Sequence, residues 1–297
     1  MPEGDTILRA ARTLSLALAG KTVARVASPL PAIADAGLVG RRVDAVTAHG
    51  KNLLVRFDDG RTLHTHMRMT GSWHLYRPGE PWRKSAQGAR VVLEVMPRDG
   101  ASQASAPPSR GGKTDADGGF VAVCFSAPVV RLLAADLGDV ELGRLGPDIL
   151  APTFDEAEAH ARLRALGACP IGEALLVQSA VAGIGNIYKS ESLFAQRLDP
   201  WAPVARLEDA ALAAVVAEAR RLMQRNVVPG QRMRTTTTSH VGGPRYAVYG
   251  RSGLPCTTCG ARIAMRRQGT ALRSTYYCPT CQAPRAPEAK GASPVRT

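Results

Sequence analysis

Three kinds of feature are missing from this 297-residue sequence. No stretch approaches the roughly 20 consecutive apolar residues of a membrane-spanning helix. The start, MPEGDTILRA, has no apolar segment of the kind that secretory signals contain. These two absences predict a cytoplasmic protein. Acidic residues are almost missing from the end of the chain, since residues 220–297 hold 14 Lys and Arg but one acid, Glu288.

The missing acids leave the final stretch strongly basic. Its excess of +13 equals the formal net charge of the whole chain, which is also +13. Positive charge concentrated in one region favours a polyanionic partner such as nucleic acid, because neutralised phosphates release condensed counterions. A basic surface that only keeps the protein in solution is the alternative interpretation.

Cysteine is also scarce, with six in the chain, but four of them form a pattern. The spacing C-x2-C-x18-C-x2-C occurs at Cys256, Cys259, Cys278 and Cys281. Two such knuckles bring four thiolates together, which predicts one structural Zn²⁺ with no open coordination position. Disulfides are not expected in a reducing compartment, so Cys124 and Cys169 are interpreted as core residues.

The first half of the chain has the pattern of a β-sandwich. Short apolar runs alternate with Gly, Asp and Pro over residues 38–95, and FVAVCF follows at residues 120–125. Residues 97–119 are poor in apolar side chains and rich in Gly, Ser and Pro, which predicts a flexible insertion. We therefore expect a β-sandwich domain over residues 1–140.

The pattern becomes helical after Thr153. Helical periodicity with plausible caps occurs in three segments, at residues 153–166, 172–196 and 207–227. We expect a linker at 141–152, a helical domain with its following loop at 153–246, a zinc finger at 247–282 and a disordered tail at 283–297. The predicted fold class is α+β with several domains.

The middle of the helical region carries a weaker signal. Gly183, Gly185 and Asn186 interrupt the helical pattern, which restarts at Ile187. Backbone N–H groups at a new helix start can hold a phosphate. An ordinary glycine-containing turn explains the same spacing equally well.

Several separated motifs together resemble one known family. The segment Gly183–Glu191 matches the G-x-G-N-x-Y-x-x-E hallmark of the formamidopyrimidine-DNA glycosylase/endonuclease VIII family. Met-Pro-Glu-Gly at the start, His-Gly-Lys-Asn at 49–52, and YGRSGLPC and YYCPTCQ around the finger follow the family order.

The resemblance covers residues 1–282 and implies both an architecture and an activity. The architecture is an N-terminal β-sandwich, a helix-two-turn-helix domain and a C-terminal zinc-finger β-hairpin. The activity is that of a bifunctional DNA glycosylase and abasic-site lyase of base excision repair. We expect it to act as a monomer on damaged double-stranded DNA and therefore to be associated with the nucleoid in the cytoplasm.

The resemblance implies catalytic roles for three residues. Removal of Met1 makes Pro2 a secondary amine that is partly unprotonated near neutral pH and attacks the sugar C1′ atom. The resulting Schiff base leads to strand cleavage by β- or β,δ-elimination. Glu3 would move protons to the opening sugar ring, and Lys51 would hold the phosphate beside the lesion. Without the family, all three are ordinary terminal or surface residues.

Two groups of residues are implied contacts to DNA. Asn186, Arg251 and Arg273 are assigned to the backbone, with Arg273 gripping a phosphate through its planar guanidinium. A second group, Arg68, Met69 and Thr70, forms the loop that would fill the gap left by an extruded base, with Met69 as the apolar plug. The alternatives are solvated arginines and a core methionine.

Two departures from the family pattern affect the expected substrate. Asp5-Thr6 stands where many relatives have Pro-Glu, which puts a second acid at position 6 in doubt. Pro128-Val129-Val130 lacks the arginines and phenylalanine with which formamidopyrimidine glycosylases read the opposite cytosine. The chain therefore resembles the endonuclease VIII-like branch, whose usual substrates are oxidised pyrimidines.

Two other functions remain open at this stage. One is a non-catalytic binder of damaged or branched DNA that keeps the fold, and the other is a zinc-ribbon transcription or RNA-binding module. The intact Pro2, Glu3 and Lys51 favour the enzyme over the first. The long β domain and the helical Gly-Asn segment disfavour the second.

Overall fold

The computed structural model describes residues 2–96, 119–135, 143–228, 233–237 and 243–283. The chain divides into two compact units. The first consists of Met1–Ala159, Gln178–Ile184 and Met223–Pro229, and the second of His160–Val177, Gly185–Leu222 and Gly230–Thr297. Two short segments of the region expected to be helical therefore pack with the β part. The predicted insertion up to residue 118 and the predicted tail from residue 284 lie outside the described residues.

The first unit contains two antiparallel four-stranded sheets. In chain order the strands are β1 (Val23–Ala27), β2 (Val43–His49), β3 (Asn52–Phe57), β4 (Thr62–His66), β5 (Ser72–Tyr76), β6 (Ala89–Val95), β7 (Phe120–Phe125) and β8 (Val129–Leu133). One sheet has the order β1-β6-β7-β5 and the other the order β2-β3-β4-β8. The strands expected from alternation are all present, whereas β1 and β8 were not expected.

The core of the first unit is shared by both sheets and by the long helix α1 (Gly4–Leu18). The helix contributes one apolar face, which consists of Ile7, Ala11, Leu14 and Leu18. Aliphatic side chains of both sheets pack against that face, as period-two alternation predicts for strands with one buried side. Two sheets over one apolar core form the β-sandwich that the sequence predicted. A short helix, α2 (Pro31–Ala34), lies between β1 and β2.

Helices predominate in the second unit. They are α3 (Glu156–Arg164), which begins in the first unit, α4 (Ile171–Ala174), α5 (Asn186–Ala195) and α6 (Asp209–Gln224), which ends in the first unit. The finger follows as an antiparallel hairpin of β9 (Ala264–Gln268) and β10 (Arg273–Tyr277). Residues 175–185 are not helical, so the segment predicted at 172–196 is two helices joined by a turn. None of the helices in the described part of the chain has the length and apolarity needed to cross a membrane.

Candidate active site and zinc centre

One turn of the first unit, residues 178–184, holds the start of the chain and the predicted phosphate-binding lysine. The Gly4 N–H donates to the Gly183 carbonyl at 3.1 Å, and the Lys51 ammonium donates to the carbonyl of the next residue, Ile184. Gln178 braces the turn from inside, because its Nε2 donates to the Ile184 carbonyl and its Oε1 accepts from the Gly183 N–H, both at 3.1 Å. Two motifs far apart in sequence therefore meet on one turn.

The position of Lys51 depends on the glycine before it. Gly50 lies in the two-residue connection between β2 and β3 with a φ of 57°, a left-handed conformation that glycine adopts without strain. A side chain at Gly50 would also place its Cβ 2.8 Å from the Ala182 Cβ. Glycine at this position therefore lets the hairpin approach the turn closely enough for Lys51 to reach Ile184.

The N-terminal acids are buried next to this turn. Glu3 precedes the first residue of α1 and Asp5 lies in its first turn, and both are fully buried. Buried carboxylates are expensive unless they are engaged by donors, and the N-terminus of a helix favours negative charge. Thr6, at the position where many relatives have an acid, is half-buried and donates to Asp5 Oδ1 at 3.4 Å. Pro2 itself is half-buried.

Three histidines lie on β2 and β4, the strands that flank the one after Lys51. His49 Nε2 is 3.1 Å from the Gly146 carbonyl, and His64 Nε2 is 2.8 Å from Asn52 Oδ1. Burial, followed by the positive charges of Lys51 and other neighbours, lowers the pKa of His66 to about 4. His66 is therefore a neutral imidazole at physiological pH and adds no charge beside the lysine.

The predicted wedge loop is a tight turn between β4 and β5. The Gly71 N–H donates to the Met67 carbonyl at 2.8 Å, which closes the turn. Met67 is buried in the sandwich core, whereas Met69 is 68% exposed. Arg68 has a φ of 44°, and Thr70 donates to the Ser126 carbonyl at 2.9 Å. Met69 is therefore an exposed apolar side chain at the tip of a braced turn.

The segment that departs from the formamidopyrimidine glycosylase pattern forms an ordinary strand. Val129 and Val130 begin β8, where they pair with His66 and Thr65 of β4, and Val130 packs against the core. Neither side chain can donate a hydrogen bond to a base. The structure therefore assigns this segment to the sheet and provides no polar reader of an opposite base at these two positions.

The four finger cysteines come together as predicted. The Sγ atoms of Cys256, Cys259, Cys278 and Cys281 all lie within 4.8 Å of one another. Thr258 N–H donates to the sulfur of Cys256 and Cys281 N–H donates to that of Cys278, each at 3.4 Å. This arrangement fits a single structural Zn²⁺, because four sulfurs complete a tetrahedral shell.

The electrostatics of the cluster also fit a cation. Burial raises the pKa of the Cys256 thiol, but N–H donors from Thr258 and Cys259 and neighbouring sulfurs outweigh it and lower the pKa to about 7. Burial and the adjoining sulfurs raise the pKa of the Cys281 thiol. Four thiolates at this separation repel one another unless a divalent cation compensates their charge. Zinc supplies that charge and so holds the two knuckles together.

Asn186 is the first residue of α5 and is 9% exposed. Its Oδ1 is buried without a hydrogen-bond partner among the described residues. A buried amide atom left unsatisfied is rare and costly, and such atoms often mark a place where a ligand binds. The side-chain amide can present its NH₂ group there instead, which is the donor that a phosphate oxygen requires.

Glu191, the last residue of the hallmark motif, was given no role by the sequence. Its carboxylate accepts from the N–H groups of Ala247, Val248 and Tyr249, each at 2.8 Å, and from the Thr236 hydroxyl. Charge-assisted hydrogen bonds of this kind are stronger than neutral ones. Glu191 therefore ties the loop before the finger to α5. Glu191 differs from a solvated acid because the helix around it is buried, and the sequence does not show that burial.

The two predicted DNA-binding arginines of the finger region differ in their surroundings. Arg251 donates from Nη1 to the Ala247 carbonyl and from Nη2 to the Pro255 carbonyl, the latter at 2.9 Å, so it joins the loop to the first knuckle. Arg273 is exposed at the start of β10. A second buried charge, Lys189 of α5, was also missed by the sequence, for the same reason as Glu191.

Comparisons with known proteins give a consistent result. Family models match at three places: "Formamidopyrimidine-DNA glycosylase N-terminal domain" at residues 1–105, "Formamidopyrimidine-DNA glycosylase H2TH domain" at 145–238 and "Zinc finger found in FPG and IleRS" at 253–284. The "Probable endonuclease 8 2" of Streptomyces coelicolor is 39% identical over 100% of this chain and 99% of its own length. The "DNA-(apurinic or apyrimidinic site) lyase Nei2" of Mycolicibacterium smegmatis is 34% identical over 95% and 99%. The crystal structure of the MutM (Fpg) protein from Thermus thermophilus has a TM-score of 0.70 and 29% identity, over 96% of this chain and 100% of that one.

Proposed function

Because the chain belongs to the formamidopyrimidine-DNA glycosylase/endonuclease VIII family, in its endonuclease VIII-like branch, we propose that it excises oxidised pyrimidines with Pro2 as the nucleophile. The family makes it a DNA repair enzyme with glycosylase and abasic-site lyase activity. The observation that carries the proposed nucleophile is the turn at residues 178–184. Its consecutive carbonyls, those of Gly183 and Ile184, accept from the Gly4 N–H, two residues after Pro2, and from the Lys51 ammonium.

The chemistry begins when the Pro2 nitrogen attacks C1′ of the damaged nucleotide. A nitrogen–carbon bond forms as the bond from C1′ to the base breaks, and the base leaves with the proton that the Pro2 nitrogen gives up. Glu3, buried beside the nucleophile, donates a proton to the sugar ring oxygen as the ring opens to the iminium. The iminium acidifies the C2′ proton, whose removal expels the 3′ phosphate. Water then hydrolyses the iminium and restores the amine.

The other predicted residues would hold the DNA around this step. Lys51, whose ammonium lies at the turn through its bond to the Ile184 carbonyl, would bind the phosphate beside the lesion. Asn186 and Arg273 would each bind the backbone, one from the unsatisfied amide and one from an exposed guanidinium. Arg251 would add a donor from the part of its fork that faces neither Ala247 nor Pro255. Met69, flanked by Arg68 and Thr70, would fill the gap left by the base.

Borohydride trapping tests the nucleophile. The amine of Pro2 forms a reducible iminium with an abasic duplex, so the unblocked enzyme should become covalently attached to DNA. An N-terminal tag, or retention of Met1, should abolish trapping and cleavage, whereas the same tag at the C-terminus should preserve both. Pro2→Gly keeps a primary amine and should retain part of the lyase activity. A fully active N-terminal fusion would disprove the proposed nucleophile.

Single-turnover excision tests the lesion class. Bidentate reading of a base contributes about 1–3 kcal/mol, and Val129 and Val130 cannot supply it. We expect 5-hydroxyuracil and thymine glycol to be excised faster than 8-oxoguanine opposite cytosine. The excision rate should depend only modestly on which base lies opposite the lesion. Duplexes that differ only in the lesion and its partner provide the control. If 8-oxoguanine opposite cytosine is the fastest substrate, the pyrimidine proposal fails while the glycosylase assignment stands.

A further inference from the structure

The finger hairpin has a polar interior. Across residues 264–277, all of which the structure describes, the fully buried strand residues are Gln268 and Thr275. Two-stranded hairpins are marginally stable in water and depend on what lies beneath them. Besides the zinc knuckles, a small apolar cluster and ring contacts of Trp201 with Tyr277 and Arg266, hydrogen bonds hold this hairpin in place.

Those hydrogen bonds form a directed chain that starts at a buried lysine. The Lys189 ammonium, fully buried in α5, donates to the Thr275 hydroxyl at 2.7 Å and to the Ser274 carbonyl at 3.2 Å. The Thr275 hydroxyl donates to Gln268 Oε1 at 2.8 Å, and Gln268 Nε2 donates to the Pro200 carbonyl at 2.8 Å. The hydrogen bonds therefore run in one direction, from Lys189 through Thr275 and Gln268 to the Pro200 carbonyl.

This network lies directly beneath Arg273. Arg273 precedes Ser274, whose carbonyl accepts from Lys189, and pairs in register with Gln268. The neighbouring helix α4 leaves space for the network, since a Cβ at Gly172 would come within 2.5 Å of Gln268 Oε1. Polar contacts therefore hold both the residue next to Arg273, which is Ser274, and its partner on the other strand, which is Gln268.

An apolar side chain would fill the space at position 189 at a lower desolvation cost than a buried ammonium. Apolar packing, however, does not specify how far a strand slides along a helix, whereas hydrogen bonds of fixed length do. The lysine is therefore better explained by its effect on hairpin position than by stability.

We propose that Lys189 is a positioning residue for Arg273, which it holds at the place where the guanidinium meets the DNA backbone. The inference rests on the phosphate contact of Arg273 under the proposed function. Lys189 is fully buried and exposes no surface of its own to DNA. Its removal should therefore remove the contribution of Arg273 while leaving zinc binding and the chemistry at Pro2 unchanged.

A double-mutant cycle on DNA affinity tests this. The variants are Lys189→Met, Arg273→Ala and the double mutant, and the probe is a duplex with a tetrahydrofuran abasic analogue titrated at several salt concentrations. Lys84→Met is the matched control, because the same substitution there removes an exposed lysine of the first unit that donates to Ser72. Zinc content and single-turnover excision at saturating enzyme are measured on each variant.

Each single variant should weaken binding by roughly three- to tenfold and lower the salt slope by about 0.9, the value for one phosphate contact. The double mutant should bind no more than about twofold worse than Arg273→Ala, because the same contact is lost only once. Lys84→Met should bind like the wild type. Zinc content should be unchanged in all four, and the saturating single-turnover rate should be unchanged in Lys189→Met and Lys84→Met.

Three results would overturn the inference, and they can be told apart. Multiplicative losses in the double mutant, or normal binding by Lys189→Met while Arg273→Ala is weakened, reject the positioning role and leave the proposed function intact. Normal affinity and salt slope in Arg273→Ala reject its phosphate contact as well. If Lys189→Met loses zinc, Thr275→Val, which keeps the shape but breaks the chain, takes its place in the cycle under the same criteria.

Discussion

The β-sandwich and the zinc finger are held together by different forces. The sandwich buries aliphatic side chains from two sheets and from α1 in one core. The finger has four cysteines around a zinc position, and its hairpin has a polar interior of Gln268 and Thr275 that is bonded to Lys189. A large unit can bury enough apolar surface to fold by itself, whereas a small one depends on a metal and on directional bonds. The finger should therefore be separable from the rest, and four measurements test that difference.

Removal of zinc should have the largest effect. Cys256→Ser, or strong chelation, should collapse the finger and cost at least about tenfold in DNA affinity, because several basic side chains lose their position together. Far-ultraviolet circular dichroism should still show the sandwich and the helices. Cys169→Ser, which changes a half-buried cysteine without zinc spacing, is the control. Loss of all secondary structure on chelation would contradict the separation.

A cavity in the sandwich core should lower the stability of the protein without affecting zinc binding. Leu63, on β4, is fully buried in the shared core, and Leu63→Ala should lower the free energy of unfolding by about 2–5 kcal/mol. Zinc content should stay at one per chain. Leu272→Ala, at a position that is 63% exposed in the hairpin loop, should change stability by less than about 0.5 kcal/mol. Denaturant unfolding measures both, and a similar loss in the two variants would refute the comparison.

The two methionines of the wedge loop sharpen the comparison within the sandwich. Met67→Ala should destabilise the protein by about 2–5 kcal/mol, since this side chain belongs to the core. Met69→Ala, at the exposed tip, should leave stability within about 0.5 kcal/mol of the wild type. It should instead slow excision from duplex DNA far more than from single strands, where no stack is broken. Equal slowing on both substrates would argue against a plug.

Acid should produce the smallest effect. The pKa of His66 is about 4 in the folded protein, below the usual value of 6.5. Between these values the unfolded chain binds a proton that the folded protein does not, so stability falls as the pH drops through this window and is unaffected above it. His66→Gln should reduce that slope in urea unfolding measured from pH 7 to pH 4. An unchanged slope would exclude His66 as its source.

Most of the fold could be predicted because local patterns produced it. Period-two alternation located the strands around β3 and β4, and cysteine spacing located the zinc site. The helix α1 also has a readable apolar face, although it was not predicted. The strand β1 was missed because its five residues are of mixed burial and show no clear alternation. The strand β8 was missed because it is short and follows Pro128, so the segment indicated only the absence of the family's arginines.

The candidate site divides in the same way. Pro2, Glu3 and Lys51 were named from motifs, but the turn at residues 178–184 that joins them could not be expected, since it packs with the β part from within the helical region. Lys189 and Glu191 were missed for a physical reason. A charged residue in a helical pattern is usually solvated, and only the neighbouring elements reveal that both are buried.

The sequence by itself determined the family, the sandwich, the zinc ligands and the basic character of the final stretch, because each depends on spacing or composition along the chain. Tertiary structure alone decided which of two methionines in one loop is exposed, which carbonyls accept from Lys51 and Gly4, and what lies beneath Arg273. Those are contacts between residues up to 179 positions apart, since Gly4 meets Gly183. Their free energy depends on burial and geometry, which no local pattern encodes.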